Sequence, residues 1–191
     1  MPALESCLAR YRGNVKSGDI FILNDPYEGG SHLPDIFLFK PIFLEGVLLG
    51  YLCAMSHHTD IGGRVAGGNA CDSSEIYQEG LRIPPLKLYD EGQPNETVFR
   101  ILEKAVRVPD KVLGDLHGQL AALAYGETEY LRLAKRFGIE EINQYTEHLV
   151  DYTEELTRKS LSGLPDGEWS FTDYVDDDGF GIGPIPIVAT L

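Results

Sequence analysis

The sequence predicts an α+β fold: a mixed sheet of short strands with glycine-rich loops, plus an antiparallel helical hairpin. Three patterns predict it. In the first half, short apolar runs are bounded by Gly, Pro, Asn and Asp, the punctuation of strands and turns. From residue 97 the apolar residues instead recur three and four apart, the period of a helix face. After residue 163 the strand-like pattern returns. The chain thus reads as a strand-rich segment (1–95), a helical segment (96–162) and strands returning to the sheet (163–191), together one domain.

Residues 2–12 place Leu4, Leu8 and Tyr11 on one helical face. A turn at 15–18 leads into Ile20, Phe21, Ile22 and Leu23, a continuous apolar run that suits a strand covered on both faces. Asn24-Asp25-Pro26 ends it, and Gly29-Gly30 marks a loop. Residues 36–43 form a second strand, with Pro41 at an edge, bulge or break. Glu45-Gly46 is a hairpin-type turn into a third strand over 47–55. Residues 77–88 end in an extended Pro-Pro stretch, and 97–106 read as a helix. A long helix follows with Asp110 as its N-cap and Gly138 as its stop. Its stripe of Leu113, Leu116, Leu120, Leu123, Tyr130, Ala134 and Phe137 is broken at Glu127. Ile142, Tyr145, Leu149, Tyr152 and Leu156 repeat the stripe in the next helix, and the short link makes the pair an antiparallel hairpin, read as core rather than as a subunit-contact arm. Asp176-Asp177-Asp178-Gly179 is a solvated turn that fails the calcium-loop template, and a last strand follows.

With 43% hydrophobic residues the chain can bury a core. A net charge of −14, from 30 acidic against 16 basic residues, repels nucleic acid and anionic membranes. No apolar run reaches the ~18 residues a membrane span needs. Cys7, Cys53 and Cys71 are too few and too scattered for a disulfide framework or a CxxC zinc site, so they read as idle thiols of a cytoplasmic protein.

The chemistry-bearing residues concentrate between Asp19 and Gly63. His32, His57 and His58 lie there with Asp25, Asp35 and Asp60, in loops that interrupt the strands. His32 and Asp35 are three apart, so in a straight strand they point to opposite faces; a turn at Pro34 brings them together. If the second and third strands pair as a hairpin, Asp35 at the start of one lies beside His57 at the end of the other. That topology gathers His32, Asp35 and His57, with Asp25 or Asp60 in support. His57 and His58 are adjacent, so only one can face a shared site, and strand parity does not choose between them. Nitrogen and oxygen ligands without thiolate suit Mn²⁺, Fe²⁺ or Zn²⁺, and three ligands leave positions for water or substrate. Asp60 and Glu79 are the candidates for a general base, although Glu79 also reads as half of an exposed pair with Glu75. No P-loop and no G-x-S-x-G elbow is present.

GDIFILNDPYEGGSHLPD, SHHTDIGG, EIYQEGLRIPPLKLY and VLGDLHGQLAAL, spread in order along the chain, resemble the hydantoinase B/oxoprolinase family, which also includes acetone and acetophenone carboxylase subunits. The resemblance implies a B-type subunit working with an A-type partner that uses ATP to phosphorylate an amide or carbonyl oxygen of a cyclic amide or ketone substrate. The missing P-loop agrees with ATP being handled by that partner. The family's metal site carries over to His32 and Asp35 through H-x-x-D, and to His57 as the first histidine of the pair, with Asp25 and His58 in support. Members run to several hundred residues, so the chain reads as an excerpt of the N-terminal half of a hetero-oligomer subunit. The expected activity is hydrolysis of a cyclic amide. A carboxylase subunit and a non-catalytic assembly domain are the alternatives within this scheme, and a two-histidine, one-carboxylate iron oxygenase is a further one outside it.

Overall fold

The computed structural model describes residues 1–191, which divide into two compact units, Met1–Glu129 and Tyr130–Leu191. In the first unit the apolar run IFIL becomes β1 (Ile20–Leu23), the middle strand of five, and it is buried on both faces as its composition requires. β2 (Asp35–Leu44) flanks it on one side, with β3 (Val47–His57) beyond; β4 (Leu86–Asp90) and β5 (Gln93–Pro94) lie on the other side. The α+β expectation holds, but every pairing is antiparallel, so the sheet is not mixed. The reason is local. β2–β3 and β4–β5 are hairpins with two-residue turns, Glu45-Gly46 and Glu91-Gly92. All four turn residues have positive φ (51°, 81°, 50° and 84°), the geometry that matches strand twist in tight hairpins. β4 is a strand the sequence reading lacked: it is five residues long, follows two prolines and carries Lys87 as its second residue.

Alternation along β1 and β2 sends side chains to two different cores. Ile20, Ile22, Ile36, Leu38 and Leu88 pack with Val98 and Leu102 of α2 (Glu96–Ala105) and with Leu116 and Leu123 of α3 (Pro109–Phe137). Phe21, Leu23 and Phe39 pack on the opposite face with Ala3 and Cys7 of α1 (Pro2–Arg10). α1 sits against the glycine loop so closely that a Cβ on Gly29, whose φ is 92°, would lie 2.4 Å from the Ala3 nitrogen. α3 starts at Pro109, a residue suited to the first helical position, which puts Asp110 inside the first turn rather than at the cap.

Burial separates the three thiols. Cys7 is fully buried, and burial, with a smaller push from the Glu28 carboxylate, raises its pKa to about 12. Burial also raises the exposed-edge thiol of Cys53, while Cys71 is exposed. At pH 8 we expect a thiol reagent to consume Cys71 first, Cys53 more slowly, and Cys7 only after denaturant is added, as mass spectrometry of the alkylated peptides will report. Equal labelling of all three in native protein contradicts this assignment.

In the second unit α4 (Ile139–Leu161) follows Gly138, whose φ of 83° ends α3 as expected. α4 buries no residue, so Tyr145, Leu149, Tyr152 and Leu156 are exposed and the reading of that stripe as core is not met. β6 (Ser170–Val175) and β7 (Ile185–Thr190) pair only with each other, so the final strands form a separate ribbon instead of returning to the sheet. No helix is long and apolar enough to cross a membrane.

Candidate functional site

The β2–β3 hairpin puts Asp35 directly opposite His57, the last pair of its register. Opposed residues have Cβ atoms ~5 Å apart, close enough for a carboxylate to reach an imidazole. Asp35 Oδ1 accepts a hydrogen bond from His57 Nδ1 at 2.9 Å, and Asp35 Oδ2 accepts one from the Ser31 hydroxyl at 2.8 Å. An ionised carboxylate only accepts, so His57 carries its proton on Nδ1 and presents the Nε2 lone pair outward. Burial of Asp35 opposes its charge, but the hydrogen bonds from His57 and Ser31 outweigh it and hold the carboxyl below its ordinary range.

His32 reaches the same place through the bend that the Pro34 position suggested. The Asp35 amide bonds the His32 carbonyl at 2.8 Å, closing a turn, and the His32 ring stacks on His57 with centroids 5.4 Å apart. The three residues named from sequence are therefore gathered at one end of the hairpin. No three His, Cys, Asp or Glu side chains form a ready-made ligand cage, and Asp35 is bonded to His57 itself. The surroundings nonetheless fit a divalent cation. Two imidazoles and a carboxylate make a nitrogen and oxygen donor set. In addition, the space beside His32 Nε2 is kept clear by Gly68: a Cβ there would lie 3.4 Å from that nitrogen and 3.3 Å from the Glu79 carbonyl oxygen. Glu79, a candidate base, thus borders the cluster through its backbone.

Strand parity, undecided in the sequence, is settled by packing. His57 is more than half exposed, whereas His58, one residue on, turns to the opposite face and is fully buried. His58 Nε2 lies 2.9 Å from Gln119 Oε1 on α3, and its Nδ1 is buried without a partner. It supports the hairpin from behind and does not join the cluster.

Asp25 and Asp60 are engaged elsewhere. Asp25 caps the turn at Pro26–Glu28, accepting from Tyr27 N at 3.0 Å, and its other oxygen takes Arg82 Nε and Nη2 at 3.1 and 2.8 Å. The Arg82 guanidinium lies against the rings of Tyr27 and Tyr77. Asp60 is buried with both oxygens taken. Oδ1 accepts from Gly62 N at 3.0 Å and Arg107 Nη1 at 2.9 Å, and Oδ2 accepts from Arg107 N. A carboxylate so occupied anchors a loop. Sequence reasoning missed Ser31, Asn24, Arg82, Arg107 and Gln119. The first had a signal, its i+4 spacing to Asp35 across a bend; each of the rest makes at least one bond to a residue 45 or more positions away.

The chain is 37% identical over 192 residues to the caprolactamase subunit beta of Pseudomonas jessenii, an alignment covering 100% of this chain and 33% of that protein. Its fold matches the crystal structure of ATP-dependent caprolactamase from Pseudomonas jessenii with a TM-score of 0.91 at 36% identity, covering 99% of this chain and 33% of the other. It also matches acetone carboxylase in a nucleotide-free structure, with a TM-score of 0.80 at 18% identity over 98% of this chain and 26% of the other, a likeness of fold alone. The chain spans about a third of the length of the curated relative. The profile described as hydantoinase B/oxoprolinase matches residues 1–191 from end to end, and the chain belongs to that family.

Proposed function

We propose that this chain is the metal-binding portion of an ATP-dependent, hydantoinase/oxoprolinase-type B subunit, hydrolysing a cyclic amide that an A-type partner subunit has activated. The observation that carries this is the convergence of His32, Asp35 and His57 at the mouth of the β2–β3 hairpin. The 37% identity to a caprolactamase subunit, whose substrate by name is a lactam, favours amide hydrolysis over carboxylation. ATP reaches the reaction through the partner, since this chain carries no P-loop.

His32, Asp35 and His57 would hold the cation, with Mn²⁺, Zn²⁺ and Fe²⁺ all compatible with the donor set. A bound divalent cation supplies Lewis acidity toward the activated carbonyl. The chain's own residues supply the geometry. Asp35 holds the ring plane of His57 through its bond to Nδ1, and for both side chains to ligate one cation that hydrogen bond would give way to it. Ser31 fixes Asp35 in turn, and Gly68 keeps the approach to His32 Nε2 open.

Elemental analysis of dialysed protein tests the reading, wild type beside His32→Ala and His57→Ala. Near-stoichiometric metal in wild type, lost in both variants, is expected. Well-folded wild type that retains no metal, together with unchanged behaviour of His32→Ala, favours the second reading, an assembly element. The observation behind that reading is the exposure of Trp169, Phe171, Ile187 and Val188 in the second unit.

A further inference from the structure

We infer that Gln119 is a positioning residue for the cluster, holding Asp35 and His57 in register from the opposite face of the sheet through the two hairpin strands and His58. The inference rests on the reading of that cluster as the functional site. Gln119 is buried on α3 and faces the back of the hairpin. Its amide nitrogen donates to the Ile36 carbonyl on β2 at 2.9 Å and to the Ala54 carbonyl on β3 at 3.2 Å. Carbonyls only accept, so the NH₂ must face them, and the amide oxygen is left facing His58 Nε2. His58 therefore donates from Nε2, and its unpartnered Nδ1 is a bare lone pair rather than a stranded N–H.

The three grips bracket the pair that matters. Ile36 follows Asp35, His58 follows His57, and Ala54 lies three residues before His57 on the same strand. A slip of one residue in either strand would turn Asp35 or His57 into the core and break their hydrogen bond. One side chain that bonds both strands and the residue after His57 opposes that slip.

The test is ¹⁵N–¹H NMR of the imidazoles at one pH, in metal-free protein, comparing wild type with Gln119→Met, which keeps length and apolar volume. Wild type should show His57 as the Nδ1–H tautomer and His58 as the Nε2–H tautomer. In folded Gln119→Met, His57 should relax toward a mixture of tautomers, and Mn²⁺ should bind 10–100-fold more weakly. If that variant does not fold, His58→Phe, which removes only the ring's grip, is read in the same way. An unchanged His57 tautomer in a folded variant overturns the inference, since a merely space-filling Gln119 would leave a residue on the other face undisturbed. Failure of wild type to bind Mn²⁺ strikes the metal reading instead and leaves the tautomer result to decide this one.

Discussion

Asn24→Leu should abolish cooperative folding near 37 °C, or lower stability by about 3–6 kcal/mol by urea denaturation. Asn24 sits just past the end of β1, fully buried, and its side chain joins three separate backbone groups. The amide nitrogen donates to the carbonyls of Leu33 at 2.6 Å and Leu81 at 2.9 Å, and the amide oxygen accepts from Ile83 N at 2.6 Å. Leucine matches the volume but leaves all three groups unpaired, each costing ~1–3 kcal/mol. That total is comparable with the whole stability of an ordinary domain, ~5–15 kcal/mol. Asn24→Asp is the sharper control. It keeps the acceptor for Ile83 but sets a carboxylate against two carbonyls, so it should also be severe. A small loss in both variants would show that water replaces the amide. The effect reaches the site because Leu33 adjoins His32, so the same bonds tie the H-x-x-D bend to the segment carrying Arg82.

Asp60→Ala should cost about 3 kcal/mol and loosen the loop after β3. It strands Gly62 N and Arg107 N, both of which bond the carboxylate. Arg107 is nearly half exposed, so its guanidinium is rehydrated and keeps its bonds to the Gly62 and Gly63 carbonyls, which moderates the loss. Asp60→Asn, which keeps one acceptor and removes the charge, should cost less. Folded Asp60→Asn is expected to retain wild-type metal content. Loss of metal from that variant, with its melting curve intact, would restore Asp60 to the cluster and count against its role as an anchor.

The central cluster was legible in the sequence because its logic is local. The Glu45-Gly46 turn defines a hairpin, a hairpin sets its ends side by side, and Asp35 and His57 occupy those ends. Pro34 supplied the bend that His32 needed. β4 was not legible, since a five-residue strand after two prolines earns its place only by pairing with β1. Nor were the anchoring roles of Asp25 and Asp60. A carboxylate in a loop looks the same whether its partner is a cation ligand set or an arginine, and Arg82 and Arg107 arrive from 57 and 47 positions away. The stripe on α4 shows the opposite error. A helical period states which residues share a face, while what covers that face is decided by tertiary contacts, and here nothing in the chain buries it.

Turn chemistry and strand pairing act between near neighbours, so residue order alone was enough for the α+β class, the β2–β3 hairpin, and the gathering of His32 and Asp35 with one histidine of the 57–58 pair. Which histidine of the pair faces the cluster depends on packing between distant segments. β3 presents His57 outward because the packing of Ile36, Leu38 and Ala54 toward α3 commits the other parity to the core, and there His58 meets Gln119.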